Sequence, residues 1–275
     1  MSSRVAIPFI FAVVILYTSC IAVPAPGVLA SCLTRHDPPS HGVDKQHLLG
    51  APSLVAETKV PLEIHIMSKC PDARDCLEQL IAPALEEIES LVDFRMSFIG
   101  RPTADGGISC MHGPSECLGN ILHLCGAKIN TPPSPPPAHT YLPFSLCLIH
   151  DYRNIPEQEF AQGCAAKNGI DFQKLNECAS DTGPDGGLSG LRKSVERSRA
   201  LGAETSCTVR VDEKNWCVRD GGRWKDCDRG SDVEDLVRDI KKIYKEKNGD
   251  HQRLRERGEK LSEWIESERI IWTGY

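Results

Sequence analysis

The sequence predicts a mixed α/β fold built on a strand–helix–strand unit near residue 60. Three observations carry this. An alternating apolar run at Pro61–Met67 reads as a strand. An apolar stripe from Leu77 to Ile88 reads as an amphipathic helix. A second alternating run at Val92–Ile99 reads as another strand. Two strands joined by a helix within about forty residues favour a parallel pair, because a crossover helix is their usual connection.

In the first strand Leu62, Ile64 and Ile66 alternate with Glu63, His65 and Met67. His65 is read as a hydrogen-bonded core histidine rather than a catalytic one. The helix starts at Asp72 or Asp75 and runs to Ser90, with Pro83 expected to kink it. Residues 100–115 form a Gly-rich loop. Residues 116–200 read as an all-helical insertion, broken by a proline-rich loop at Thr131–His139 and by turns near Pro156 and Gly169. Strands return at Ser206–Asp212 and Asn215–Arg219, joined as a hairpin. A helix follows from Asp232 to Lys247. Residues 248–275 are highly charged and read as a solvated terminal helix or tail. The order is β-α-β, a helical excursion, then α-β-β-α. It matches a thioredoxin-like fold with an α-helical insertion, over residues 59–247.

Arg4, the apolar run Ala6–Tyr17 and small residues at Ser19–Ala22 read as a signal peptide over residues 1–22. That run is too short for a membrane span, so no stable membrane insertion is expected. Residues 23–58 read as an irregular leader. The chain has 13 cysteines; cleavage would remove Cys20 and leave an even number, which reads as a disulfide framework in an oxidising compartment. No CxxC pair occurs, so neither zinc nor any other metal or cofactor is expected. A net charge of −6 and the absence of a basic patch argue against nucleic acid. There is no phosphate loop, HExxH motif or GxSxG elbow. There is no standard N-glycosylation sequon either, so a glycoprotein is not expected.

Cys70 is the leading candidate for chemistry. It closes the first strand and precedes Pro71, a residue suited to a first helical turn. A helix N-terminus offers unsatisfied N–H groups and the positive end of the dipole, and both stabilise a thiolate. Arg74 adds to this, whereas Asp72 and Asp75 oppose it. The alternative is that Cys70 belongs to an inert bridge. Cys76 is the nearest possible partner. Six residues of continuous helix rise about 9 Å, beyond the ~7 Å between Cα atoms that a disulfide spans. A Cys70–Cys76 pair therefore requires a loop at 71–74. Asp75, with Glu78 three residues on, provides a capping-box start beyond such a loop, and that arrangement is the expectation adopted.

A second motif holds Cys110, His112, Gly113, Glu116, Cys117, Asn120 and Cys125 in the form C-x-H-G-x2-E-C-x2-N-x4-C. It resembles the signature of the gamma-interferon-inducible lysosomal thiol reductase family, and the stretch Ser68–Cys76 looks like that of fungal members. The resemblance covers about residues 60–245. It implies a thioredoxin-like fold and reduction of disulfide-bonded protein substrates, sustained by a small thiol reductant. It also implies a place on the secretory route, in lysosome, vacuole or extracellular space. Cys70 falls on the family's nucleophile, with Cys76 as the resolving cysteine. Ala73 stands where the family's CxxC keeps its second cysteine. Cys110, Cys117 and Cys125 are then structural bridges, and His112 and Glu116 either shape the site or cap the helix beginning near Pro114. Cys207 falls where thioredoxin-like enzymes keep a cis-proline. Without proline a cis bond costs ~3 kcal/mol, so a trans peptide is expected there. Cys207 is either a redox partner of Cys70 or a bridge to Cys217 or Cys227. Cys32, Cys147, Cys164, Cys178, Cys217 and Cys227 read as structural, with Cys164 and Cys178 as one staple. The rival reading is a non-catalytic secreted binding module whose cysteines are all structural.

Overall fold

Alternating β-branched and long aliphatic residues at Val60–Ile66 form strand β1. The computed structural model describes residues 57–129 and 136–273, all within one unit, Leu54–Tyr275. The signal-peptide segment, the leader up to residue 56, Cys32 and most of the proline-rich loop lie outside the described residues. Helix α1 (Pro71–Cys76) follows β1, continues through a π turn (Leu77–Ile81) and becomes α2 (Ala82–Ile88). In the π turn just before Pro83, Ala82 N–H bonds back to Leu77 O, an i to i−5 bond that locally widens the helix at the place where the sequence predicts a kink. Strand β2 (Val92–Phe98) pairs parallel with β1, Ile64 lying opposite Met96.

Beyond β2 the expected loop contains a small hairpin, β3 (Arg101–Pro102) with β4 (Ile108–Ser109). Five helices follow: α3 (Pro114–Ile129), α4 (Leu142–His150), α5 (Gln158–Lys167), α6 (Phe172–Ser180) and α7 (Gly187–Ala200). Strands β5 (Thr208–Val211), β6 (Lys214–Asp220) and β7 (Arg223–Lys225) complete a sheet of order β2-β1-β5-β6-β7, antiparallel from β1 onward through β7. Helix α8 (Val233–Thr273) runs straight through residue 248, so the expected boundary there falls inside one helix. A parallel β-α-β pair beside an antiparallel hairpin, interrupted by helices between β2 and β5, is the thioredoxin-like arrangement with a helical insertion.

Both faces of the central strands are covered. Leu62, Ile64 and Ile66 on one face of β1 are fully buried, and α8 packs against β1 and α2. The opposite face carries a polar network beneath α7. Arg197 donates a bidentate pair to Glu63 (2.6 and 2.7 Å), Ser97 donates to the same carboxylate (2.5 Å), and Ser198 Oγ meets His65 Nδ1 at 2.9 Å. Burial pushes the Glu63 carboxyl up, but donation from Arg197 and Ser97 outweighs it, and the group lies below its ordinary value. His65 is thus a hydrogen-bonded core residue.

Burial lowers His65 to about 4, against a partial upward pull from Glu63, and lowers His123 to about 3. His123 is fully buried beside Phe98, and neither ring nitrogen meets a protein partner. A base held neutral in the folded state favours folding above its unfolded value of 6.5 and opposes it as pH falls toward the folded value. Stability is therefore expected to drop between pH 7 and pH 5, by about 2 kcal/mol for each histidine. Glu63 titrates below that window and does not offset the loss. Urea midpoints at the two pH values check this, and His123→Leu should remove about half of the difference.

Candidate active site

The local sequence dictates where Cys70 sits. Its backbone is extended (φ −98°, ψ 127°) because Pro71 follows, and it serves as the cap residue of α1. Arg74 N–H bonds to Cys70 O at 3.2 Å, which is helical hydrogen bonding from the first turn. The loop expected at 71–74 is therefore absent, and the helix starts at Pro71 rather than Asp75. Asp75 does not cap; it accepts from Arg74 (2.7 Å) and Arg219 (2.9 Å). Cys70 and Cys76 stand at opposite ends of a continuous turn and a half, and they are not bonded to each other.

Cys76 is bonded instead to Cys207, their Cα atoms 6.3 Å apart. Cys207 bridges neither Cys217 nor Cys227, which bond to each other. The Ser206–Cys207 peptide is cis, against the expected trans form. Two contacts hold that peptide. Cys207 exchanges backbone hydrogen bonds with Arg219 (3.0 and 2.8 Å), and Ser206 Oγ accepts from Met67 N–H at 2.9 Å. Ser206 O lies 3.8 Å from Cys70 Sγ. Cys70 is buried, with 8% exposure, and is the one free cysteine among the described residues.

The acidic neighbours that would oppose a thiolate are neutralised. Asp72 accepts from Gly221 and Gly222 N–H (2.9 and 2.8 Å), in a turn where both glycines have positive φ. Arg219 lies 2.9 Å from Asp75 and 3.7 Å from Asp72. Burial pushes the Asp75 carboxyl up, but hydrogen bonds from Arg74 and Arg219 outweigh it and hold it below the usual carboxylate range. On the other side, Lys69 donates to Ile155 O (2.5 Å) and Arg153 O (3.1 Å), and Arg74 lies over the Tyr152 ring.

The signature residues support the loop that carries Cys70. Buried Asn120 accepts from Ser68 N–H at 2.9 Å and donates to Cys110 Sγ at 3.7 Å. Ser68 Oγ donates to Glu116 O at 3.1 Å. The buried Glu116 side chain pairs with the His112 ring and accepts weakly from His112 N–H (3.4 Å), while Gly113 turns with φ +83°. Cys110 is bonded to Cys117, Cys125 to Cys178 and Cys147 to Cys164. The expected Cys164–Cys178 staple is thus replaced by two bridges with other partners. Ser68, Lys69, Gly119, Ser206 and Arg219 carry no assigned role in the sequence; their roles arise from neighbours 36 to 147 positions away. Asn120→Ala leaves Ser68 N–H and the Cys110 sulfur without this partner. It should cost about 1–3 kcal/mol, measurable by denaturant unfolding.

Residues 61–168 match the family described as gamma interferon inducible lysosomal thiol reductase (GILT). GILT-like protein 1 of Drosophila melanogaster is 28% identical over 155 residues, covering 52% of this chain and 61% of that protein. A protein of Anopheles gambiae, described as gamma-interferon-inducible lysosomal thiol reductase-like, is 26% identical over 136 residues, covering 46% and 56%. The chain thus spans somewhat over half the length of these relatives. Among solved structures, oxidised BdbD from Bacillus subtilis has a TM-score of 0.46 at 14% identity, covering 68% of this chain and 88% of that one. NmDsbA1 from N. meningitidis has a TM-score of 0.45 at 11% identity, covering 73% and 89%. Through the match at residues 61–168 and its GILT-like relatives, the chain is similar to the gamma interferon inducible lysosomal thiol reductase family.

Proposed function

We propose that this protein is a thiol–disulfide oxidoreductase that reduces disulfide bonds in polypeptides, with Cys70 as the attacking thiolate. The observation that carries the reading is the setting of Cys70. It is the one unbridged cysteine among the described residues, it caps a helix, and it lies against the Ser206–Cys207 peptide. The nearest carboxylates, Asp72 and Asp75, are held by the Gly221–Gly222 turn, Arg74 and Arg219.

The reaction begins with Cys70 Sγ attacking one sulfur of a substrate disulfide. A mixed disulfide forms, and the substrate's other sulfur leaves as a thiolate. A second cysteine thiol completes the reduction, and a small thiol restores the enzyme. A groove of about 840 Å³ beside the site, with Met67, Cys110 and Met111 in its wall, suits a polypeptide substrate. Met111 is 78% exposed, the profile of an apolar contact residue for an unfolded chain.

The working compartment in this reading lies on the secretory route: lysosome, vacuole or extracellular space. Five bridges among the described residues agree with an oxidising environment. No helix among the described residues is long and apolar enough to cross a membrane. The test is reduction of a disulfide-bonded protein, with a small thiol as reductant, from pH 4 to 7. Turnover that disappears in Cys70→Ser supports the reading. Silence at every pH, or turnover unchanged by that substitution, overturns it.

A further inference from the structure

Three cysteines meet at the site, and the fold gives them unequal relations. Cys76 cannot reach Cys70, because the helix between them is continuous from Pro71 and six residues rise about 9 Å. Cys207 is placed between them. It is bonded to Cys76, and the peptide that carries its nitrogen lies against Cys70 Sγ, with Ser206 O at 3.8 Å. The oxidation state is also informative: the bridge is Cys76–Cys207, and Cys70 is left as a free thiol. A simple two-cysteine reductase at rest in its oxidised form would have its nucleophile locked in the bridge.

Resting on the assignment of Cys70 as nucleophile, we infer that Cys207 is a shared resolving cysteine, and that oxidising equivalents pass through it from Cys70 to Cys76. The cycle starts with all three cysteines as thiols. Cys70 thiolate attacks the substrate disulfide, forming a mixed disulfide and expelling one substrate thiolate. Cys207 thiolate then attacks the Cys70 sulfur, which forms Cys70–Cys207 and releases the second substrate thiolate. Cys76 thiolate attacks Cys207 Sγ, which forms Cys76–Cys207 and frees Cys70. Two electrons have moved from the Cys76/Cys207 dithiol to the substrate, and each thiolate released takes up a proton from solvent. Two molecules of a small monothiol then reduce Cys76–Cys207 and leave as their own disulfide. The bridge found in the structure is the end point of this sequence.

The two partner cysteines are therefore inequivalent in mechanism, although removing either breaks the same bridge. Pre-reduced, desalted Cys207→Ser and Cys76→Ser proteins are mixed with a disulfide-bonded peptide, quenched with acid and mapped by mass spectrometry. Cys207→Ser should accumulate the Cys70–peptide mixed disulfide. Cys76→Ser should release the peptide and accumulate Cys70–Cys207. Both variants lose the same structural link, so a merely structural role predicts the same species in both. Identical stalling, or no stalling in either, overturns the relay and leaves Cys70 as nucleophile. If no adduct forms on Cys70 in any variant and Cys70→Ser turns over like the unaltered protein, the underlying assignment fails as well. A measurement on the unaltered protein covers the case in which a variant does not fold. After one turnover of the pre-reduced, desalted protein without further reductant, alkylation should label Cys70 and spare Cys76 and Cys207, all three of which label before substrate is added. Label on Cys76 with Cys70 blocked contradicts the relay.

Discussion

Cys70→Ser should lower the rate of disulfide reduction by about a thousandfold or more while leaving the fold intact. A hydroxyl in place of the thiolate removes the nucleophile itself, and a thousandfold loss corresponds to about 4 kcal/mol of transition-state stabilisation. The structural cost is small because Cys70 closes no bridge. Its sulfur makes one long hydrogen bond, to Ser206 O at 3.8 Å, and serine is close to cysteine in size. The unfolding midpoint should move by less than about 1 kcal/mol. Cys76→Ser and Cys207→Ser differ in this respect. They break a link between positions 131 residues apart, and the chain-entropy account assigns such a loop up to about 5 kcal/mol. Activity assays alongside denaturant melts separate the two kinds of loss. A Cys70→Ser protein that melts like the parent and does not turn over is the expected outcome.

The second large effect concerns a residue with no chemistry of its own. Gly119 lies in α3 where the helix passes beneath Ser68. A Cβ there would lie 2.3 Å from Ile155 Cγ2 and 2.5 Å from Ser68 Oγ. In an open helix, Gly→Ala stabilises by about 1 kcal/mol. Here the added methyl meets two fully buried side chains that have nowhere to swing, and overpacking of this kind costs about 1–3 kcal/mol or more. The clash should win, so Gly119→Ala should destabilise. It should also displace Ser68, whose N–H and Oγ are tied to Asn120 and Glu116. Cys70 is two residues further on, so turnover should fall about tenfold or more, since positioning errors near 1 Å carry large rate costs. Melting and steady-state rates on the same preparation check both effects.

The central strands were legible because their patterns repeat every two residues: Leu62, Ile64 and Ile66 in β1, and Val92, Phe94, Met96 and Phe98 in β2. The hairpin β5–β6 was legible for the same reason. Strands β3, β4 and β7 span two or three residues and carry no period to read. The helix start was misplaced because the Asp75–Glu78 spacing mimics a cap, while tertiary partners on Arg219 and the Gly221–Gly222 turn claim the acidic residues instead. Bridge connectivity was not legible, because Cys76–Cys207 and Cys125–Cys178 join positions 131 and 53 apart. The motif from Cys110 to Cys125 was legible as a pattern. Its physical task, holding Ser68 and so the Cys70 loop, emerged only from Asn120 and Glu116 in three dimensions.

The acid sensitivity expected from His65 and His123 runs against work in an acidic compartment. The five bridges among the described residues supply an opposing constraint on the unfolded chain, independent of pH. The fold can thus lose several kcal/mol to buried histidines and remain populated.

The most direct test of Cys70 as the attacking thiolate is the rate at which the native protein, not pre-reduced, reacts with a disulfide-bonded peptide at pH 5, followed by intact mass and peptide mapping. The account predicts one peptide half attached at Cys70, formed at least about ten times faster than the same adduct of free cysteine. No adduct, an adduct no faster than that of free cysteine, or attachment at another cysteine while Cys70 still alkylates would contradict it.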